Sequence, residues 1–145
     1  MDQVDFVVST NPGAPVGPLA KIASGGELSR FLLALKVCLS RDGAHNTMIF
    51  DEIDRGVGGA TADAVGRRLS RLAQDAQVLV VTHSPQVAAL GDRHFKVDKQ
   101  QSFDMTLSHV DLLSDTARID EIARMISGDK ITTEARAAAR TLIEG

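Results

Sequence analysis

The chain of 145 residues has no tryptophan, no tyrosine and a single cysteine, Cys38. One thiol excludes an internal disulfide and makes a reducing compartment the default expectation. The five phenylalanines are its only aromatic residues, too few for the stacked platforms that hold single-stranded nucleic acid. Positive charge is scarce as well. Lys and Arg number 16 against 19 Asp and Glu, a net charge of −3, so any contact with DNA would be local rather than a broad basic surface. Long apolar runs are missing: the longest is the five residues of Phe31–Leu35, against the roughly 18 needed to cross a bilayer. No charged-then-apolar leader opens the chain. Neither a G-x-S-x-G nucleophile elbow nor a G-x-x-x-x-G-K-[ST] phosphate loop occurs, and no Gly-Lys pair exists at all.

What is present reads as one layered α/β domain, a size that suits a single core. Val4 to Thr10 alternates as a first strand, and Asn11 to Pro18, with three prolines and two glycines, reads as a loop. A helix is expected from about Gly25 to Arg41, its apolar face formed by Leu28, Phe31, Leu32, Leu35, Cys38 and Leu39. Thr47–Phe50 and Gln77–Val81 read as buried strands flanking a helix over Ala60–Gln74, which implies a right-handed parallel crossover. Arg67, Arg68 and Arg71 fall on the outer side of that helix, as a solvated face or a local DNA patch. Pro85 begins a short helix to Leu90. Arg93–Asp98 and Met105–Leu112 read as a peripheral strand pair. Two helices follow, Ser114–Ser127 closed by Gly128, and one capped by Thr132 or Thr133 running to about Ile143.

Three motifs carry chemistry. Ser24-Gly25-Gly26-Glu27 has the Ser-x-x-Glu spacing of a capping box, but two glycines in a first helical turn cost stability, roughly 1 kcal/mol each relative to alanine. They make sense where an anion must approach the backbone N–H groups at a helix start. Asp51-Glu52 closes the apolar strand. At the carboxyl end of a strand in an open α/β sheet, two adjacent carboxylates favour a cation such as Mg²⁺. Asp51 would hold the metal and Glu52 would polarise an attacking water; helix-capping acids are the plainer alternative. His83, after Thr82, closes the next strand. Placed beside Asp51 it could donate a hydrogen bond to a terminal phosphate, and otherwise it is structural. Asp54 could bridge two subunits, orient the water, or be a solvated loop acid. His45, His94 and His109 lack metal-ligand spacing, and Cys38 reads as core.

Pro18–Arg30, Phe50–Val57, Thr82–Ala88 and Glu121–Met125 together make the chain resemble an ABC-type ATPase head read from its signature motif onward. The resemblance is narrower still to the bacterial SMC-like ATPases of DNA double-strand-break repair. It implies a partial P-loop NTPase lobe, a mostly parallel sheet with flanking helices, spanning residues 1–145. It also implies roles. Ser24, Gly25, Gly26 and Glu27 would be the signature motif that meets ATP on the opposite head. Asp51 would be the Walker B aspartate and Mg²⁺ ligand, Glu52 the catalytic glutamate, Asp54 a D-loop residue and His83 the switch histidine. Such heads sandwich two ATP molecules as a homodimer, act on DNA, and sit in the cytoplasm at the nucleoid without a membrane partner. The Walker A lobe, the Q-loop and the coiled coil are not in this sequence, so the expectation is an excised or partial C-terminal piece that hydrolyses ATP negligibly by itself. Two other readings remain, the nucleotide-binding subunit of an ABC transporter and a non-catalytic assembly half-module. Glu27 in place of the usual Gln, and Arg30 after Leu28-Ser29, favour the repair ATPase over the transporter.

Overall fold

The computed structural model describes residues 6–9, 13–19, 30–31, 33–35, 47–102 and 105–145. Among these, three strand pairs and four complete helices are set along the chain. β1 (Val7–Val8) and β2 (Gly17–Pro18) are antiparallel, continued by the Leu19 N–H donating to the Phe6 carbonyl at 2.9 Å. Gly17–Pro18, expected within a loop, is therefore a short strand. Proline has no N–H to donate, which is tolerated at a sheet edge. Residues 30–31 and 33–35 are helical, as expected. The residue they bury is Leu33, only 1% exposed, a position absent from the face deduced from spacing. Phe31 instead meets Phe6 edge-on, with ring centroids 6.3 Å apart.

β3 (Thr47–Asp51) and β4 (Gln77–Val81) pair in parallel, Asp51 opposite Val81. The crossover between them is α1 (Gly59–Leu72). Ala62, Val65, Leu69 and Leu72 of α1 join Phe50, Ile53, Leu33 and Val87 in one apolar cluster, while Arg67, Arg68 and Arg71 face outward. The two strands are not buried on both sides, as their apolar runs suggested. Ile49, Leu79 and Val81 are 70%, 45% and 51% exposed, because the pair packs only one face against α1 and exposure alternates with the period of two that a strand imposes.

α2 (Pro85–Ala89), with Ser84 at its N-cap, follows β4 closely. Gly66 lets α1 and α2 approach: a Cβ there would lie 2.7 Å from Leu90 Cδ1 and 3.3 Å from Val87 Cα. β5 (Phe95–Ser102) and β6 (Met105–Leu112) form an antiparallel hairpin, longer at its first strand than expected. α3 (Asp115–Ser127) and α4 (Thr133–Glu144) are capped by Ser114 and Thr132, whose hydroxyls accept from Ala117 and Ala135 N–H. The Gly128 φ of 78° closes α3, in the left-handed region open to glycine. Ile122, Ala123, Ala135 and Ala139 bury a second cluster with Ala89, and the Arg118 guanidinium donates to the carbonyls of Ala89, at 2.7 Å, and Gly91. α2 is thus held by α1 on one side and α3 on the other. Among the described residues, no helix is long and apolar enough to cross a membrane.

Candidate functional site

The site is built where β3 and β4 end side by side. Parallel pairing brings both carboxyl ends to one edge, so residues 30 positions apart in sequence become neighbours. The ladder continues one step past the strands, with the Glu52 N–H donating to the Val81 carbonyl at 3.0 Å. There the chain turns sharply. Glu52 has φ +48°, the only non-glycine residue in the left-handed region among those described. Such a backbone costs a side-chain-bearing residue about 1–3 kcal/mol and clusters at functional positions. The turn is closed by Arg55 N–H to the Glu52 carbonyl, 2.9 Å, and Val57 N–H to the Asp54 carbonyl, 3.1 Å. Ile53 anchors it from below, 1% exposed within the apolar cluster.

This turn directs Glu52 outward. Its carboxylate has Oε2 3.2 Å from the Arg55 guanidinium and Oε1 4.0 Å from His83 Nε2. The His83 side chain is 87% exposed and that of Glu52 43%, so both face the open edge. An open cleft of about 380 Å³ lies over them, lined by Glu52, Asp54, Arg55, Gly56, Val57, His83 and Ser84. The Arg30 guanidinium reaches the Arg55 carbonyl at 3.5 Å, which sets the helical residues 30–31 against the Glu52 turn.

Of the residues singled out in the sequence, Glu52, Asp54 and His83 come together around one cleft. Asp51 sits at the last position of β3, exposed, at the same edge but outside the cleft lining. Ser24, Gly25, Gly26, Glu27 and Cys38 lie outside the described residues. Asp54 is not a solvated loop acid. It is 6% exposed, and its Oδ2 accepts a short hydrogen bond from the Thr82 hydroxyl. Thr82 Oγ1 in turn accepts the Ser84 N–H at 2.9 Å. Sequence reasoning did not place Arg30 or Arg55 at the site and missed the Thr82–Asp54 contact. The Glu52–Arg55 spacing of three was a readable signal, since opposite charges so spaced meet in a turn. Thr82-His83-Ser84 before Pro85 was another, as hydroxyls before a helix start bond nearby amides.

Among the described residues, no group of three or more His, Cys, Asp and Glu could hold a metal ion by itself. A single exposed carboxylate at Asp51 still fits Mg²⁺, which takes one or two protein carboxylates and draws its other ligands from phosphate and water.

The parallel strand pair, with an acid and a histidine at one edge, belongs to a fold class, a partial α/β lobe of the P-loop NTPase type. The fold match supports it: a chain solved in work on ATP-driven dimerisation and DNA-stimulated activation of SMC ATPases aligns with TM-score 0.56 and 20% identity, covering 86% of this chain and 81% of that one. The sequence narrows the class. Over nearly its whole length this chain is similar to the C-terminal part of the DNA repair protein RecN. It is 50% identical to RecN of Xylella fastidiosa (strain Temecula1) over 143 residues, 99% of this chain and 26% of the relative. The Streptomyces coelicolor RecN is 48% identical over 143 residues, 99% and 25%, and that of Deinococcus radiodurans 51% over 138 residues, 94% and 24%. The chain therefore spans about a quarter of the length of the curated relatives it matches. No protein-family model matches it.

Proposed function

We propose that this chain is the C-terminal lobe of an ATP-hydrolysing head in a RecN-like DNA double-strand-break repair protein. The observation that carries this reading is the convergence of Glu52 and His83 at the carboxyl ends of one parallel strand pair, 4.0 Å apart. Glu52 accepts the proton of the attacking water or holds that water in line, the task of a carboxylate aimed at open solvent from a rigid turn. His83 donates to the oxygen on which negative charge grows. Asp51 holds Mg²⁺, which supplies charge neutralisation at the phosphates when bound. Ser24, Gly25, Gly26 and Glu27 serve the nucleotide of a second head, so ATP draws two heads into a homodimer on DNA.

This lobe has no Walker A lysine and no backbone cradle of that kind, the strongest phosphate contacts in such enzymes. ATP binding and turnover therefore require a Walker A lobe, supplied by the rest of a full-length protein together with its coiled coil. Mixing this chain with a separately produced Walker A half tests the reading. Turnover by the mixture, absent from either part alone and abolished by Glu52→Gln, supports it. Nucleotide binding by the mixture without turnover would favour a non-catalytic assembly module instead. Turnover by this chain alone that Glu52→Gln abolished would contradict the requirement for a second lobe.

A further inference from the structure

Asp54 is the one buried charged residue among those described, 6% exposed. A carboxylate withdrawn from water is costly unless hydrogen-bonded, and its partner here is the Thr82 hydroxyl. A hydroxyl has one proton to give and lone pairs to receive. Thr82 Oγ1 receives the Ser84 N–H at 2.9 Å and faces a carboxylate that only accepts, so its own proton points to Asp54. The result is a directed chain, Ser84 N–H to Thr82 to Asp54, that ties down the residues on both sides of His83.

The other end of the chain lies in the Glu52 turn. Asp54 is two residues beyond Glu52, and its carbonyl accepts the Val57 N–H that closes the turn, at 3.1 Å. Among the described residues, the other hydrogen bond between the two turns is Glu52 N–H to Val81 O, 3.0 Å. One bond alone leaves a hinge, whereas two separated bonds fix an orientation. Glu52 and His83 themselves are too exposed for packing to hold them, so their separation is set by the backbone beneath.

We propose that Asp54 and Thr82 are a positioning pair, a buried tie between the two turns that sets Glu52 and His83 in register. The proposal rests on the ATPase reading of that site, and it commits the Asp54 carboxylate to its own chain rather than to a second head. Displacement of a catalytic group by about 1 Å can cost on the order of 100-fold in rate, so loss of the tie acts on turnover more than on binding.

The test is steady-state ATP hydrolysis and equilibrium ATP binding by the full-length protein, together with amide hydrogen exchange at Ser84. Thr82→Val and Asp54→Ala are each expected to lower kcat by roughly 10- to 100-fold with KM for ATP little changed. Thr82→Ser should restore turnover, and the double variant should be no slower than the worse single one, as for two groups acting as a unit. Wild-type kcat in Thr82→Val would overturn the pair, as would losses that multiply in the double variant. So would loss of head dimerisation in Asp54→Ala but not in Thr82→Val, which would place the carboxylate across subunits. The Ser84 amide should be protected in the unmodified protein and lose protection in Thr82→Val. Exchange at the free-peptide rate in the unmodified protein overturns the pair even if a variant misfolds. Because exchange needs no turnover, it separates failure of the pair from failure of the ATPase reading.

Discussion

Glu52 Oε1 and His83 Nε2 lie 4.0 Å apart, although each belongs to a different strand end and neither is held by burial. Their proximity is a product of register: Asp51 pairs with Val81, and one further ladder bond carries the match past both strands. An acid and an imidazole so placed at an open edge can act on one bound group together.

The backbone beneath Glu52 is strained, with φ +48°. Glycine adopts this region freely, whereas a Cβ crowds the neighbouring carbonyl. Glu52→Gly should therefore unfold at a higher urea concentration than Glu52→Ala, a difference of about 1 kcal/mol. Both variants lose the carboxylate, so the comparison isolates the backbone. Equal midpoints would show that the turn carries no strain.

Gly66 is the contact point between α1 and α2, with Leu90 Cδ1 and Val87 Cα where a Cβ would stand. Gly66→Val should lower stability by about 1–3 kcal/mol, the usual cost of overpacking, read from thermal melting. Gly66→Ala should fall between the two, since the Leu90 side chain can turn aside more readily than the Val87 backbone. A Gly66→Val protein as stable as the parent would mean that the helices pack more loosely than the structure has them.

A pH dependence follows from His94. Burial holds its imidazole below the usual value of about 6.5, the Arg118 guanidinium of α3 pushes the same way, and the Glu121 carboxylate opposes both in part. Its Nδ1 is buried without a hydrogen-bond partner. With the folded value depressed, the unfolded chain takes the proton first on acidification. This contribution to stability is therefore present above about pH 6.5 and is lost as pH falls towards the folded value. Glu121 is held below its usual value first by its hydrogen bond to Arg124, so its own contribution is lost only at more acid pH. Urea midpoints measured from about pH 7.5 down to 5.5 should decline in the parent and decline less in His94→Gln. Parallel declines would remove His94 from the account.

Much of this was legible in the residues. The parallel crossover from β3 through α1 to β4 was signalled by apolar runs bracketing an amphipathic stretch, Gly128 announced a helix end by its own chemistry, and the cap of the last helix was narrowed to Thr132 or Thr133. The juxtaposition of Glu52 and His83 was readable only as a conditional, because strand order is a long-range property that no local pattern encodes. Side-chain contacts between turns were less legible still. Asp54 was open to three readings, a bridge between subunits, a water-orienting acid or a solvated loop acid, and only the three-dimensional approach of Thr82 made it a buried partner. The exposed face of Ile49, Leu79 and Val81 was misread for a related reason. An apolar run reports what a strand can bury, while the elements that cover it decide what is buried.

The most direct test is ATP hydrolysis and ATP binding by the full-length protein carrying Glu52→Gln. The amide keeps the size and hydrogen-bonding reach of the side chain but cannot take a proton, so kcat should fall by on the order of 100-fold or more while ATP is still bound. Turnover at the parental rate, or failure to bind ATP at all, would contradict the place of Glu52 at the centre of the site.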